Sequence, residues 1–216
     1  TEDGATEWTW DFTAHGHLLV TLSPREDDAG REVRCRDWPR LTRLEDPVPV
    51  TLHEPNALLL NQATWRLNGG NWREREELLH IDDAVREELG IPQRFGRMAQ
   101  PWTDTAPVEK LADLEISFSI KSDVTVSAPR LALEQADEIG IELDGERINA
   151  APEGYYVDEA IQTVPLPDIS PGAHELRLHV PMTRKRVIEW CYLLGDFGVE
   201  LRGRHARLIE PVRELA

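Results

Sequence analysis

The stretch Leu114-Glu115-Ile116-Ser117-Phe118-Ser119-Ile120 decides the fold, because apolar Leu114, Ile116, Phe118 and Ile120 alternate with Glu115, Ser117 and Ser119. A period of two sends successive side chains to opposite faces. One face then lies in a core and the other in water, the pattern of an antiparallel strand. Outward from it the same signal recurs at Val124 and Val126, at Leu131 and Leu133, at Ile139, Ile141 and Leu143, and at Leu176, Leu178 and Val180. Between these runs stand turn residues, Asp144-Gly145 and Pro171-Gly172, at intervals that suit short antiparallel strands. Strands of this kind pack as a sandwich rather than as a parallel α/β sheet.

Upstream the pattern is mixed. Trp8 to Phe12 and His17 to Leu22 read as two short strands, and Pro47-Val48-Pro49-Val50 reads as an edge or linker, since proline lacks the N–H of a central strand. The run Ala57 to Leu60 leads to Trp65-Arg66-Leu67 and then to Asn68-Gly69-Gly70-Asn71, a hairpin-type turn. There the period changes. Leu78, Ile81, Val85 and Leu89 recur at spacings of three and four, which predicts a helix from Arg73 to Leu89 capped by Asn71 with Glu74 as its reciprocal partner, and stopped by Gly90 and Pro92. The expected organisation is an N-terminal β region over 1–70, a helical connector over 71–101 and a β-sandwich over 102–216.

Composition narrows the partners. The 216 residues include 24 Lys+Arg against 40 Asp+Glu, a formal charge of -16, and both halves share the acidic excess, which disfavours nucleic acid and other polyanions. No run of about 18 apolar residues marks a membrane span. Thr1 stands where a start methionine would, so the chain reads as a piece of a longer protein. Cys35 and Cys191 match no metal or redox spacing, and Cys191, in the apolar run Val187 to Leu194, reads as a small buried hydrophobe. The compartment stays open.

Few residues carry chemistry by pattern alone. His15 and His17 would share a strand face, but no carboxylate or cysteine supports a metal site there, and no cofactor motif is present. Nor is there a G-x-S-x-G elbow. Glu189 and Asp196, flanked by Ile188, Trp190, Leu194 and Phe197, are the best pair of carboxylates for glycoside cleavage, which needs two facing acids. Trp65 and Trp190 read as core. The acidic run Glu134 to Glu159 reads as a solvated face with which Arg184, Lys185 and Arg186, or Arg202, Arg204 and Arg207, can pair; the same arginines could hold an acidic sugar. A sugar site joins a flat ring to a few fixed polar groups, and the candidates are Trp102, Tyr155 and Tyr156 as rings with Asp158, Arg184 and Arg186 as polar partners.

Several segments together resemble a known architecture. Asn56 to Leu60, Trp65 to Trp72, the helix to Gly90 and Gln100-Pro101-Trp102 are similar to the region entering the last β-sandwich of large bacterial glycoside hydrolases of the family 2-like and α-L-rhamnosidase-like kinds. Leu143-Asp144-Gly145, Tyr156-Val157-Asp158, Pro171 to Leu176 and the closing strand Glu189-Trp190-Cys191-Tyr192-Leu193-Leu194-Gly195-Asp196-Phe197-Gly198-Val199 continue the resemblance. It implies a galactose-binding-like jelly-roll sandwich that binds carbohydrate or braces a catalytic domain of the same polypeptide. In the resembled enzymes the catalytic carboxylates belong to a separate barrel, so no catalytic residue is implied here. A purely structural sandwich and a fragment contributing to glycosidic bond hydrolysis are the alternatives.

Overall fold

A computed structural model describes residues 47–93, 108–203 and 205–215. The expected strands before residue 47, the metal candidates His15 and His17, and Cys35 and Trp102 lie outside the described residues. Chain contacts divide the protein between Arg43 and Leu44, and all the described residues belong to the second unit.

The described chain is mainly β with one α-helix. In order it forms β1 (Val48–Pro49), β2 (Asn56–Leu60), β3 (Gln62–Leu67), β4 (Arg73–Glu77), α1 (Leu78–Leu89), β5 (Lys110–Ser122), β6 (Arg130–Glu134), β7 (Gly140–Leu143), β8 (Glu146–Ile148), β9 (Tyr155–Tyr156), β10 (Asp158–Pro165), β11 (Gly172–Thr183), β12 (Cys191–Gly195), β13 (Gly198–Arg202), β14 (His205–Ile209) and β15 (Glu214–Leu215). Two sheets form the sandwich. One has the order β2-β12-β6-β10-β9; the other runs β13-β14-β5-β11-β7-β8, with β3 also on β5 and β4 on β3. The pairings are antiparallel except for the single parallel contact of β14 with β5 at Leu208 and Ser122.

The alternating stretch behaves as its period requires. Leu114, Ile116, Phe118 and Ile120 are buried at 1 % exposure or less and meet Leu131, Leu133 and Leu193 of the other sheet in one core. β2 and β3 are separated by one residue yet enter opposite sheets, β2 pairing with β12 and β3 with β5. Strands on both sides of the expected divisions at 70/71 and 101/102 therefore share the same two sheets.

Four local expectations are corrected. The helix does not begin at Arg73: residues 73–77 form β4, paired to β3 with Trp65 opposite Arg73, and Glu77, not Asn71, caps α1 by accepting the Leu79 N–H at 2.9 Å. The physical reason is visible in Arg-Glu-Arg-Glu-Glu, which has no apolar residue to start a helical stripe, while Asn68 and Gly69, both at positive φ, return the chain along β3. The stripe itself holds, for Leu78, Ile81 and Val85 are fully buried, and Gly90 at φ 66 ends the helix. Second, the closing motif is not one strand. β12 and β13 lie in different sheets, and Asp196-Phe197 carries the chain across, with Phe197 fully buried. Third, Trp190 is 39 % exposed rather than core, its indole N–H donating to Glu77 at 2.5 Å, because residues 184–190 are irregular and no alternation operates there. Val124 and Val126 likewise build no strand, only the Val126–Ile169 bridge.

The helix end of the sandwich carries a buried polar network. Asp82 and Arg86, one turn apart on α1 and both inaccessible to solvent, pair at 2.7 Å. Asp82 also accepts the Ile188 N–H at 3.0 Å, and Arg86 donates to the carbonyls of Pro92 and Arg186. The helix is thereby tied to the irregular segment before β12.

Candidate functional site

On the five-stranded sheet, inward Leu131 and Leu133 of β6 alternate with Arg130 and Ala132, and inward Cys191 and Leu193 of β12 alternate with Tyr192 and Leu194. The register places Ala132 between Tyr192 and Thr163, and Arg130 between Leu194 and Pro165. Arg130, Thr163 and Leu194 on that outer face form the floor of an open groove of about 790 Å³. Its walls come from separate segments: Leu52 to Pro55 before β2, Ser127 and Ala128 before β6, Tyr155 to Val157 at β9, and Asp196 with Arg213.

The aromatic wall is held from several sides. Tyr155 is 60 % exposed, whereas Tyr156 is half-buried with its ring 5.3 Å from that of Tyr192 at a tilt of 54°. Burial pushes the Tyr192 phenol above its usual range, helped by the neighbouring Tyr156, so it stays a neutral hydrogen-bonding group. A register shift between β9 and β10 puts Tyr156 opposite Asp158 but Tyr155 opposite Gln162. The loop before them is clamped by Glu153 N–H to Thr163 O at 2.7 Å and Thr163 N–H to Gly154 O at 3.2 Å. Val157 and Ala128, both lining the groove, adopt φ of 62° and 47°. Neither suits that region, and for a β-branched residue it is an outlier. Backbone strain of this kind gathers where a structure holds something in place for use.

The polar groups are of two sorts. Arg213 and Asp196 satisfy each other at 2.6 Å. Arg130, Glu54 and His53 line the groove, and no ion pair or side-chain hydrogen bond engages them among the described residues.

The sequence candidates separate on this geometry. Tyr155 and Tyr156 stand in the groove. Asp158 is exposed and accepts the Ala160 N–H at 2.8 Å, fixing a turn. Arg184 is exposed on the segment before β12. Arg186 is only 3 % exposed, donating to Gln135 at 2.7 Å and pairing with Glu138, both beyond the far end of β6 from Arg130. Of the two uses read for that basic cluster, pairing with the acidic run is the one Arg186 makes. Arg202 and Arg207 pair with Glu200 instead, and Arg207 also with Asp123 at 3.2 Å.

Glu189 and Asp196 stand at opposite ends of β12. Asp196 is exposed at the groove, and Glu189 borders a small apolar cleft with Leu133 and Cys191. They do not face one another as a cleaving pair must. Cys191 is buried, its thiol pushed up to about 12 by desolvation, so it is no nucleophile. Among the described residues no group of three or more His, Cys, Asp or Glu could hold a metal ion, and no helix is long and apolar enough to cross a membrane. His53, Glu54, Arg130 and Arg213 were missed as groove residues; for Arg130 the alternation of β6 was the available signal.

No protein-family model and no curated protein matches the chain. Among solved structures, a GH2 beta-galacturonidase from Eisenbergiella tayi bound to glycerol is similar at 15% identity and a TM-score of 0.35, over 71% of this chain and 28% of that one. The same enzyme bound to galacturonate is similar at 15% identity and 0.34, over 74% and 30%. The chain spans less than a third of those enzymes' length, and its likeness to these glycoside hydrolase chains is weak.

Proposed function

We propose that this chain is a noncatalytic carbohydrate-binding module of a glycoside hydrolase-like protein, and that the sugar lies in the groove on the outer face of the five-stranded sheet. The observation that carries this reading is Tyr155, a largely exposed ring standing beside a concave surface with Tyr156 and uncommitted polar groups. A tyrosine face packs on sugar C–H groups while the polar groups fix the hydroxyls, and the two χ angles of tyrosine keep the ordering cost low. Isothermal titration of the chain against neutral and acidic mono- and oligosaccharides tests it. Binding that falls at least tenfold in Tyr155→Ala is the expected result, and absence of heat with every sugar removes the reading.

A second reading has its own support. Along the free edge of β2 runs a more apolar groove of about 810 Å³, bordered by exposed Leu59, Leu201 and Val212. Such a surface suits a module that braces a catalytic domain of the same polypeptide. In that case Leu59→Asp lowers the activity of the longer protein while sugar binding at Tyr155 is untouched.

A further inference from the structure

We infer that the groove selects an acidic saccharide, a sugar carrying a ring carboxylate, and that Arg130 receives that carboxylate. The inference rests on the carbohydrate reading above and adds the chemical class of the ligand.

In a chain with 40 Asp+Glu against 24 Lys+Arg, a guanidinium ordinarily finds an acid. Arg66 pairs with Glu115, Arg86 with Asp82 and Arg207 with Glu200. Within the groove itself Arg213 is taken by Asp196. Arg130 is not taken by anything among the described residues, although the groove is where it stands. The fold explains why. At the first position of β6 it faces outward with Leu194 and Pro165 as its cross-strand neighbours, so the sheet offers it no acceptor. Its planar fork of donors matches a carboxylate in two parallel hydrogen bonds, a geometry that a hydroxyl cannot return.

Glu54 is the other uncommitted charge on the groove wall. A carboxylate accepts sugar hydroxyls, and a sugar acid presents hydroxyls and a carboxylate together. Glu54 also repels the ligand's charge, which gives the inference a second handle. Arg130 and Glu54 are both exposed, so solvent weakens each effect, and changes of roughly five- to tenfold in Kd are expected rather than hundreds.

The test uses the whole 216-residue chain and matched oligosaccharides of one linkage that differ only at C6 of a single residue, a uronate in one and its neutral hexose counterpart in the other. The acid is expected to bind roughly five- to tenfold more tightly than its neutral match at low salt, with the advantage shrinking as salt rises. Arg130→Gln should abolish that advantage, bringing the acid and its neutral match to equal affinity; Arg130→Lys should keep part of it; Glu54→Gln should enlarge it. Equal affinity for acid and neutral forms overturns this inference and leaves the carbohydrate reading standing. An acid preference that survives Arg130→Gln overturns the assignment to Arg130. Binding of neither form removes both.

Discussion

The two ends of β6 use charge in opposite ways. Beyond its C-terminal end the buried charges are engaged: Asp82 with Arg86 and Ile188 N–H, Arg186 with Glu138 and Gln135. At its N-terminal end Arg130 and Glu54 stand uncommitted beside an exposed tyrosine, on backbone that includes two strained residues. The same residue type, arginine, is thus a tie at one end and an open hand at the other. Burial makes the difference, since an inaccessible guanidinium must find acceptors whereas an exposed one is satisfied by water until a ligand replaces it.

The comparison breaks most visibly at Arg86. Truncation in Arg86→Ala leaves Asp82 charged and buried, and frees the carbonyls of Pro92 and Arg186 from their donor. Loss of one partner of a buried pair costs about 3–5 kcal/mol, so urea unfolding should show this as a shift in midpoint large enough to threaten folding. An Arg86→Ala chain within 1 kcal/mol of the parent would mean that the network is not a tie at all.

Next in size is Gly198, where the chain crosses between sheets. A Cβ there would stand 2.4 Å from the Glu210 carbonyl oxygen and 3.0 Å from Ile209. Because the obstacle includes backbone, relief requires moving the β13–β14 pair, and Gly198→Ala should cost about 1–3 kcal/mol. Gly195 meets only side chains, of Phe197 and Val126, at 3.0 Å, so Gly195→Ala should cost less in the same unfolding assay. A reversal of that order would show the crossover to be softer than the contacts imply.

How much of this contrast could be read from residues follows from the same distinction. The core was legible because alternation is local: Leu114 to Ile120 announced their inward face without reference to any partner. The helix stripe was equally legible, but its start was not, because Arg73 to Glu77 are decided by the return along β3 rather than by their own pattern. Of the groove, Tyr155 and Tyr156 stood out through Gly154 and their exposure-prone setting. The remaining lining is distributed over segments beginning near residues 52, 127, 155, 194 and 213, which only strand register brings together. Arg186 shows the converse error. As a basic residue in a cluster it looked available, and burial against Glu138 is a tertiary fact.

Between tie and open hand lies His174. Its Nδ1 is 2.6 Å from Asp144 Oδ2 and its Nε2 is 2.7 Å from the Ser170 carbonyl, two acceptors that only the doubly protonated ring satisfies at once. Burial pulls its pKa down, yet the hydrogen bonds to Asp144 and Ser170 and the charge of Asp144 outweigh that and raise it. A raised folded-state pKa stabilises fully below the unfolded value, near 6.5, and that contribution is lost as pH climbs through the folded value. Asp144 works the other way: burial opposes ionisation, but His174 and the Glu175 N–H hold its carboxyl below the usual range, so its contribution is lost as pH falls through the lowered value. The His174 contribution should therefore decline as pH rises from about 6.5 through the raised value in the parent and not in His174→Gln, and the imidazole resonance should titrate above its ordinary midpoint by NMR. A normal midpoint would place His174 with the uncommitted groups.

The smallest effect carries the sharpest contrast, because its sign is opposite to the others. Val157 is 81 % exposed and held at φ 62°, a region that costs a β-branched residue about 1–2 kcal/mol, whereas glycine occupies it freely and gives back part of the gain in chain entropy. Val157→Gly should then stabilise the chain by roughly 0.5 kcal/mol, read as a small rise in Tm. If the strain is kept because it fixes Tyr155 and Tyr156 against the groove, the same substitution should weaken sugar binding several-fold even though it touches neither ring. A chain that becomes more stable and binds as well as before would show that the strain at this end of the sheet does nothing for the site. A chain that becomes less stable would show that the side chain of Val157 packs to better effect than its exposure suggests.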